Sequence, residues 1–189
     1  MSAIFQRGIE EHLALFQELG RLAADIGRAG ELIAAALRGG RKLMLCGNGG
    51  SAADSQHIAA EMAGRFVKDR RPLAAVALST DTSTMTCIAN DYTFDEVFSR
   101  QVMGLGQPGD CLLAISTSGN SRNVIRAAEV ARPAGIRVIG LLGRDGGLLR
   151  GLCDVPLVVP SQTTARIQEA HIFLGHTLCA LVEEALGLA

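Results

Sequence analysis

Residues 42–66, KLMLCGNGGSAADSQHIAAEMAGRF, decide the fold. Leu43, Met44, Leu45 and Cys46 form a short apolar run bounded by glycines, the pattern of a strand buried on both faces. The glycine-rich Gly47-Asn48-Gly49-Gly50-Ser51 follows, and from Ser51 to Phe66 the pattern is helical. The same order recurs downstream. Strands are predicted at 42–46, 73–78, 111–115, 137–142 and 155–159, and helices at 51–66, 82–103, 121–132 and 163–186. Continuous apolar strands alternating with helices predict an α/β domain, a five-stranded parallel sheet covered by helices on both faces.

Upstream, Ile9, Leu13, Phe16, Leu19 and Leu22, then Ile26, Leu32, Ile33 and Leu37, recur at helical spacing, so 1–38 reads as an N-terminal helical arm of two helices or one bent one. Its apolar residues lie on more than one side, including Ile4, Phe5, Leu15 and Phe16, which predicts a role in oligomerisation. No linker, charge run or repeat divides the chain, so 1–189 is expected to be a single domain. Lys and Arg number 18 against 19 Asp and Glu, a formal charge of −1, which argues against a nucleic-acid or anionic-membrane partner. Six Phe, one Tyr and no Trp leave little to stack on bases. Five widely spaced cysteines without a C-x-x-C pair point to a reducing compartment and to thiols buried as small hydrophobes. The stretch MSAIFQRGIEEHLALF carries acids and no continuous apolar core, so no signal peptide is predicted and a cytoplasmic location is expected.

In an open α/β sheet ligands collect at the carboxyl ends of strands. Two loops there stand out, Gly47–Ser51 and Ser116-Thr117-Ser118-Gly119-Asn120-Ser121. The second has four hydroxyls, small residues that let backbone N–H groups approach a ligand, and a helix N-terminus behind it, the constitution of a phosphate cradle. The bland alternative is a turn whose hydroxyls merely cap the helix. Gly47 to Ala52 also scans as G-x-G-x-x-A, but the second strand ends in Leu78-Ser79-Thr80 without the acid that a dinucleotide ribose requires, so a nicotinamide cofactor is disfavoured.

Candidate acid/base groups lie on two helices. His57 and Glu61 are four apart and share a face, the spacing of a helix chelate and equally of an ordinary surface pair. Glu61 is set among apolar residues, where a carboxylate needs a partner. Gln168 and His176 are eight apart, about 12 Å along a helix and roughly 80° around it. They meet one ligand by leaning together, or the site draws on more than one subunit.

The segments GNGGSAAD (47–54), SQH (55–57), AEMAGRF (60–66), ANDY (89–92), ISTSGNS (115–121) and RIQEAH (166–171), with His176, together resemble the phosphoheptose isomerases of the sugar isomerase (SIS) domain family. The resemblance covers almost the whole chain and implies the flavodoxin-like SIS sandwich. It implies isomerisation of D-sedoheptulose 7-phosphate to D-glycero-D-manno-heptose 7-phosphate through an enediol, the first step toward ADP-heptose and the lipopolysaccharide core. Asn48, Gly49, Gly50, Asn90 and Asp91 would then contact the sugar, with Ser116, Thr117, Ser118 and Ser121 on the phosphate. Glu61 and His176 would be catalytic, Glu61 and Gln168 would also touch substrate, and one zinc ion per subunit would be held by His57, Glu61, Gln168 and His176. A cytoplasmic homotetramer is implied. The alternative is a non-catalytic SIS module that senses sugar phosphates or binds a replication initiator, which has no need of Glu61 and His176.

Overall fold

The computed structural model describes residues 2–189. After the N-terminal helix α1 (Ala3–Glu18), a single turn of 3-10 helix bends the chain into α2 (Ala23–Arg38), so the arm is two helices. The elements that follow are β1 (Leu43–Cys46), α3 (Gly50–Ala63), β2 (Ala75–Ala77), α4 (Thr82–Asp91), α5 (Ser99–Leu105), β3 (Cys111–Ser116), α6 (Arg122–Ala131), β4 (Arg137–Gly143), β5 (Val155–Val159) and α7 (Thr164–Ala185). All neighbouring strands pair in parallel in the order β2-β1-β3-β4-β5, the doubly wound arrangement expected from the alternating pattern.

The pleat sorts the apolar runs into two layers. Leu43, Leu45, Leu113, Ile115, Ile139 and Leu141 pack under α2, α3 and α7. Met44, Cys46, Leu112, Ala114, Val138 and Leu142 pack under α4, α5 and α6. Cys46, Cys111 and Cys179 are buried, and burial pushes their thiols up to about 12, so they behave as the inert hydrophobes expected. Cys153 is half-buried, and Cys87 is exposed on α4.

Two predicted elements are corrected. The single helix at 82–103 is two, interrupted after Asp91 at Tyr92 (φ −124°, ψ −107°) and a short 3-10 turn at Phe94–Glu96. The side chains of Asn90 and Asp91 bond each other at this end of the helix, and both are residues of low helix propensity. The break lets Val97, Phe98 and Val102 turn into the second layer. The strand at 73–78 shrinks to Ala75–Ala77, because Leu73 N–H is taken by the Met62 carbonyl at the end of α3.

The arm is tied down on one side only. Leu15 and Leu19 join the core, and His12 stacks on Phe16 at 4.0 Å and bonds Glu169 of α7 at 2.8 Å. Ile4, Phe5 and Leu13 remain exposed, as does Phe173 of α7.

Candidate active site

The strand order reverses between β1 and β3, the switch point at which an open parallel sheet parts its loops to admit a ligand. The loops that follow these two strands are the two singled out in the sequence. They are bolted together by a reciprocal amide pair: Asn48 Nδ2 donates to Asn123 Oδ1 (2.9 Å) and Asn123 Nδ2 to Asn48 Oδ1 (2.8 Å). Asn123 lies in the first turn of α6, buried, and sequence reasoning missed it; its signal was an Asn inside a helix start with no capping role to explain it.

The hydroxyls of the second loop do not cap α6. Ser121, at the N-cap, makes no side-chain cap bond, and its Oγ lies 2.9 Å from Ser116 Oγ. The first α6 amides to find partners are those of Val124 and Ile125, both on the Ser121 carbonyl, which leaves the leading N–H groups of the helix pointing out of its end. A cluster of hydroxyls before an uncapped helix N-terminus suits an anion. The loop is braced from behind, where Leu149 N–H bonds Gly119 O (3.0 Å) and Leu148 N–H bonds Asn120 Oδ1 (3.1 Å).

Beside this cradle α3 and α7 cross, bringing together side chains far apart in the chain. His57 Nε2 and His176 Nε2 stand 3.0 Å apart, and His57 Nε2 is 3.4 Å from Glu61 Oε1. The crossing is this close because Gly175 has no side chain: a Cβ there would sit 2.5 Å from Ile58 Cδ1. Gln168, two turns up α7, is drawn to the first loop, where a Cβ on Gly50 would lie 2.5 Å from Gln168 Nε2. Asp54, one turn before His57, has a buried Oδ2 without a hydrogen-bond partner. Burial holds its carboxyl above the usual carboxylate range, against the opposing pull of His57 and His176. It belongs to the same constellation, and its place on the inner face of α3 was the only signal in the sequence.

Not every predicted residue joins this group. Asn90 and Asp91 are exposed at the end of α4 and bond one another rather than the loops. His171 is fully buried behind the site, with Nε2 3.0 Å from the Leu142 carbonyl, and burial pushes it down to about 4. It is therefore neutral in the fold, and its stability contribution is complete above pH ~6.5, where the unfolded imidazole is neutral too. As pH falls from ~6.5 to 4 the unfolded chain gains a proton that the folded one refuses, a loss of about 3 kcal/mol. Urea midpoints of His171→Gln, lower than the parent's at pH 7, should decline less steeply over that interval; an equally steep decline would place the acid sensitivity elsewhere.

Two imidazoles, a carboxylate and an amide oxygen are the donor types zinc accepts, and ligands ~2.0–2.1 Å from a tetrahedral centre stand ~3.3 Å apart, close to the separations seen. The donors fit the ion in kind. Their arrangement is an open chain, Glu61 to His57 to His176, and no group of three or more His, Cys, Asp and Glu side chains converges on one point among the described residues.

A doubly wound domain holding a phosphate-type cradle and an imidazole–carboxylate group at its switch point defines a sugar-phosphate type of site, and comparison with known proteins agrees. The SIS domain family model matches residues 9–143. A phosphoheptose isomerase of Nitratiruptor sp. is 54% identical over 181 residues, 95% of this chain and 97% of that protein. The structure of the phosphoheptose isomerase of Neisseria gonorrhoeae superposes with TM-score 0.90 at 48% identity, covering 95% of this chain and 97% of that one. That of Francisella tularensis gives 0.93 at 34% identity, covering 97% and 100%. The chain belongs to the SIS domain family and, within it, to the phosphoheptose isomerases.

Proposed function

We propose that this chain isomerises D-sedoheptulose 7-phosphate to D-glycero-D-manno-heptose 7-phosphate, the step that opens ADP-heptose synthesis for the lipopolysaccharide core. The observation that carries the reading is the Glu61–His57–His176 group set beside the hydroxyl-rich α6 terminus. A ketose and an aldose differ by the position of one carbon-bound proton and of the carbonyl, so the enzyme needs a base at carbon and a group that moves protons on O1 and O2. Ser116, Thr117, Ser118 and Ser121 hold the phosphate, and Asn48, Gly49, Gly50 and Gln168 hold the sugar chain. Glu61 takes the proton from C1 to give a cis-enediol and returns it to C2. His176 relays the proton between O2 and O1, so that no charge is left on either oxygen.

His57, Glu61, Gln168 and His176 would hold one zinc ion per subunit, which when bound supplies Lewis acidity to the substrate oxygens; a ligated carboxylate is a weaker base, so Glu61 and His176 would move protons only at the oxygen and ring nitrogen left free by the ion. The working form is a cytoplasmic homotetramer. Support for association comes from Ile4, Phe5 and Leu13, which lie together on α1 and are exposed, and from the exposed Phe173 of α7. Incubation with sedoheptulose 7-phosphate, followed by NMR, should show aldose anomeric signals; chelator should diminish them and zinc restore them. Unchanged substrate under all conditions would overturn the activity, and full activity in chelator would overturn the metal.

A further inference from the structure

Behind the acid/base group lies a buried ion pair that the proposed reaction does not use. Arg70 Nε donates to Glu183 Oε1 at 2.6 Å, and the two side chains are 2% and 3% exposed. The remaining guanidinium N–H groups go to backbone: Nη2 donates to Glu61 O (2.8 Å), and Nη1 to Met62 O (2.8 Å) and Gly64 O (3.0 Å). These carbonyls belong to the last turn of α3 and its exit, where a helix leaves its acceptors unpaired. A cation at that end also complements the helix dipole. Glu183, on α7, accepts in addition from Phe66 N–H (3.3 Å), and the Phe66 ring lies 5.7 Å from the His176 ring.

We infer that Arg70 and Glu183 are positioning residues for the isomerisation: Arg70 caps the turn of α3 that carries Glu61, and Glu183 locks that cap to the helix that carries His176. A helix end frays unless its carbonyls are held, and Glu61 stands only two residues from the end of α3. A base displaced by about 1 Å can cost on the order of a hundredfold in rate. Without the guanidinium fork, Glu61 loses its bearing relative to His57 and His176, while the hydroxyls of the phosphate cradle keep contacts that do not involve Arg70. The effect therefore falls on kcat and leaves KM alone.

This inference rests on Glu61 and His176 as the acid/base pair, and the experiment separates the two. Arg70→Met alone strands the Glu183 carboxylate in the interior and is expected to unfold readily. The double variant Arg70→Met/Glu183→Met removes both charges, a change that well-packed interiors tolerate. It is expected to fold with a thermal midpoint above that of Arg70→Met but below the parent's, because the Glu61, Met62 and Gly64 carbonyls lose their donor, while kcat for sedoheptulose 7-phosphate stays about ten- to a hundredfold low and KM stays within about twofold. Arg70→Lys keeps the charge but loses the planar fork, and should fold with kcat reduced by a smaller factor. A folded double variant with parental kcat, or one whose loss lies in KM, would overturn the positioning role while leaving the parent's activity intact. Should the double variant not fold, Arg70→Lys decides: parental kcat overturns the inference. An inactive parent would instead strike the reaction itself.

Discussion

Glu61→Gln is expected to lower kcat for sedoheptulose 7-phosphate by about 10²- to 10⁴-fold, the usual share of a positioned general base, with KM close to the parent's. The amide keeps the shape of the carboxylate and its reach to His57, at 3.4 Å, but cannot take the C1 proton. His176→Gln should fall in the same range, because a carbon acid is not committed to product until the protons on O1 and O2 have moved. The double substitution should cost less than the product of the single losses, since residues that act as a unit are not additive. Near-normal turnover in either single variant would remove that residue from the acid/base role. Exchange of solvent deuterium into C2 of the product gives a second readout, which Glu61→Gln should suppress in step with turnover.

The second large effect is expected at a residue with no chemistry of its own. Gly175→Ala places a methyl 2.5 Å from Ile58 Cδ1 and 2.9 Å from Ile58 Cγ1, inside contact distance at the crossing of α3 and α7. Ile58 is fully buried, so its side chain cannot swing away, and overpacking of this kind costs about 1–3 kcal/mol. The helices yield by moving apart, which opens the 3.0 Å approach of His57 to His176. A lower thermal midpoint, kcat down by about tenfold or more and weaker zinc retention on dialysis should appear together. Ile58→Val in the same chain removes one of the two clashing atoms and should recover part of each. If activity and metal binding are unaffected although the midpoint drops, the crossing distance is not what sets the site.

The resemblance borne by the loops and helices holds through the comparisons, and its reach reflects where the physics is local. A buried parallel strand writes itself as an unbroken apolar run, and a ligand loop as glycines and hydroxyls directly after it. Both patterns are local in the chain and need no tertiary context. Leu43–Cys46 with the loop behind it, and Cys111–Ser116 with Thr117 to Ser121, were legible for that reason. The break after Asp91 was not, because the helical pattern of 82–103 continues through it and the chain turns only at the backbone of Tyr92. His57 and Glu61 were ambiguous by themselves, since four-residue spacing serves a surface pair as well as a site.

By itself the sequence determined the α/β class, the strands, the two loops at their carboxyl ends and the residue types available for acid/base work, which follow from unbroken apolar runs, from the 3.6-residue period of helices and from the constraints of turns. Tertiary structure alone decided which of those residues meet. His57 and His176 are 119 positions apart, and their 3.0 Å approach depends on one glycine fitting against Ile58. The same crossing sent His171 inward to the Leu142 carbonyl, so that of two histidines five residues apart on α7 one faces the site and the other is core. Burial is a property of the helix packed against its neighbours, and a helix drawn alone cannot show which of its faces will be covered.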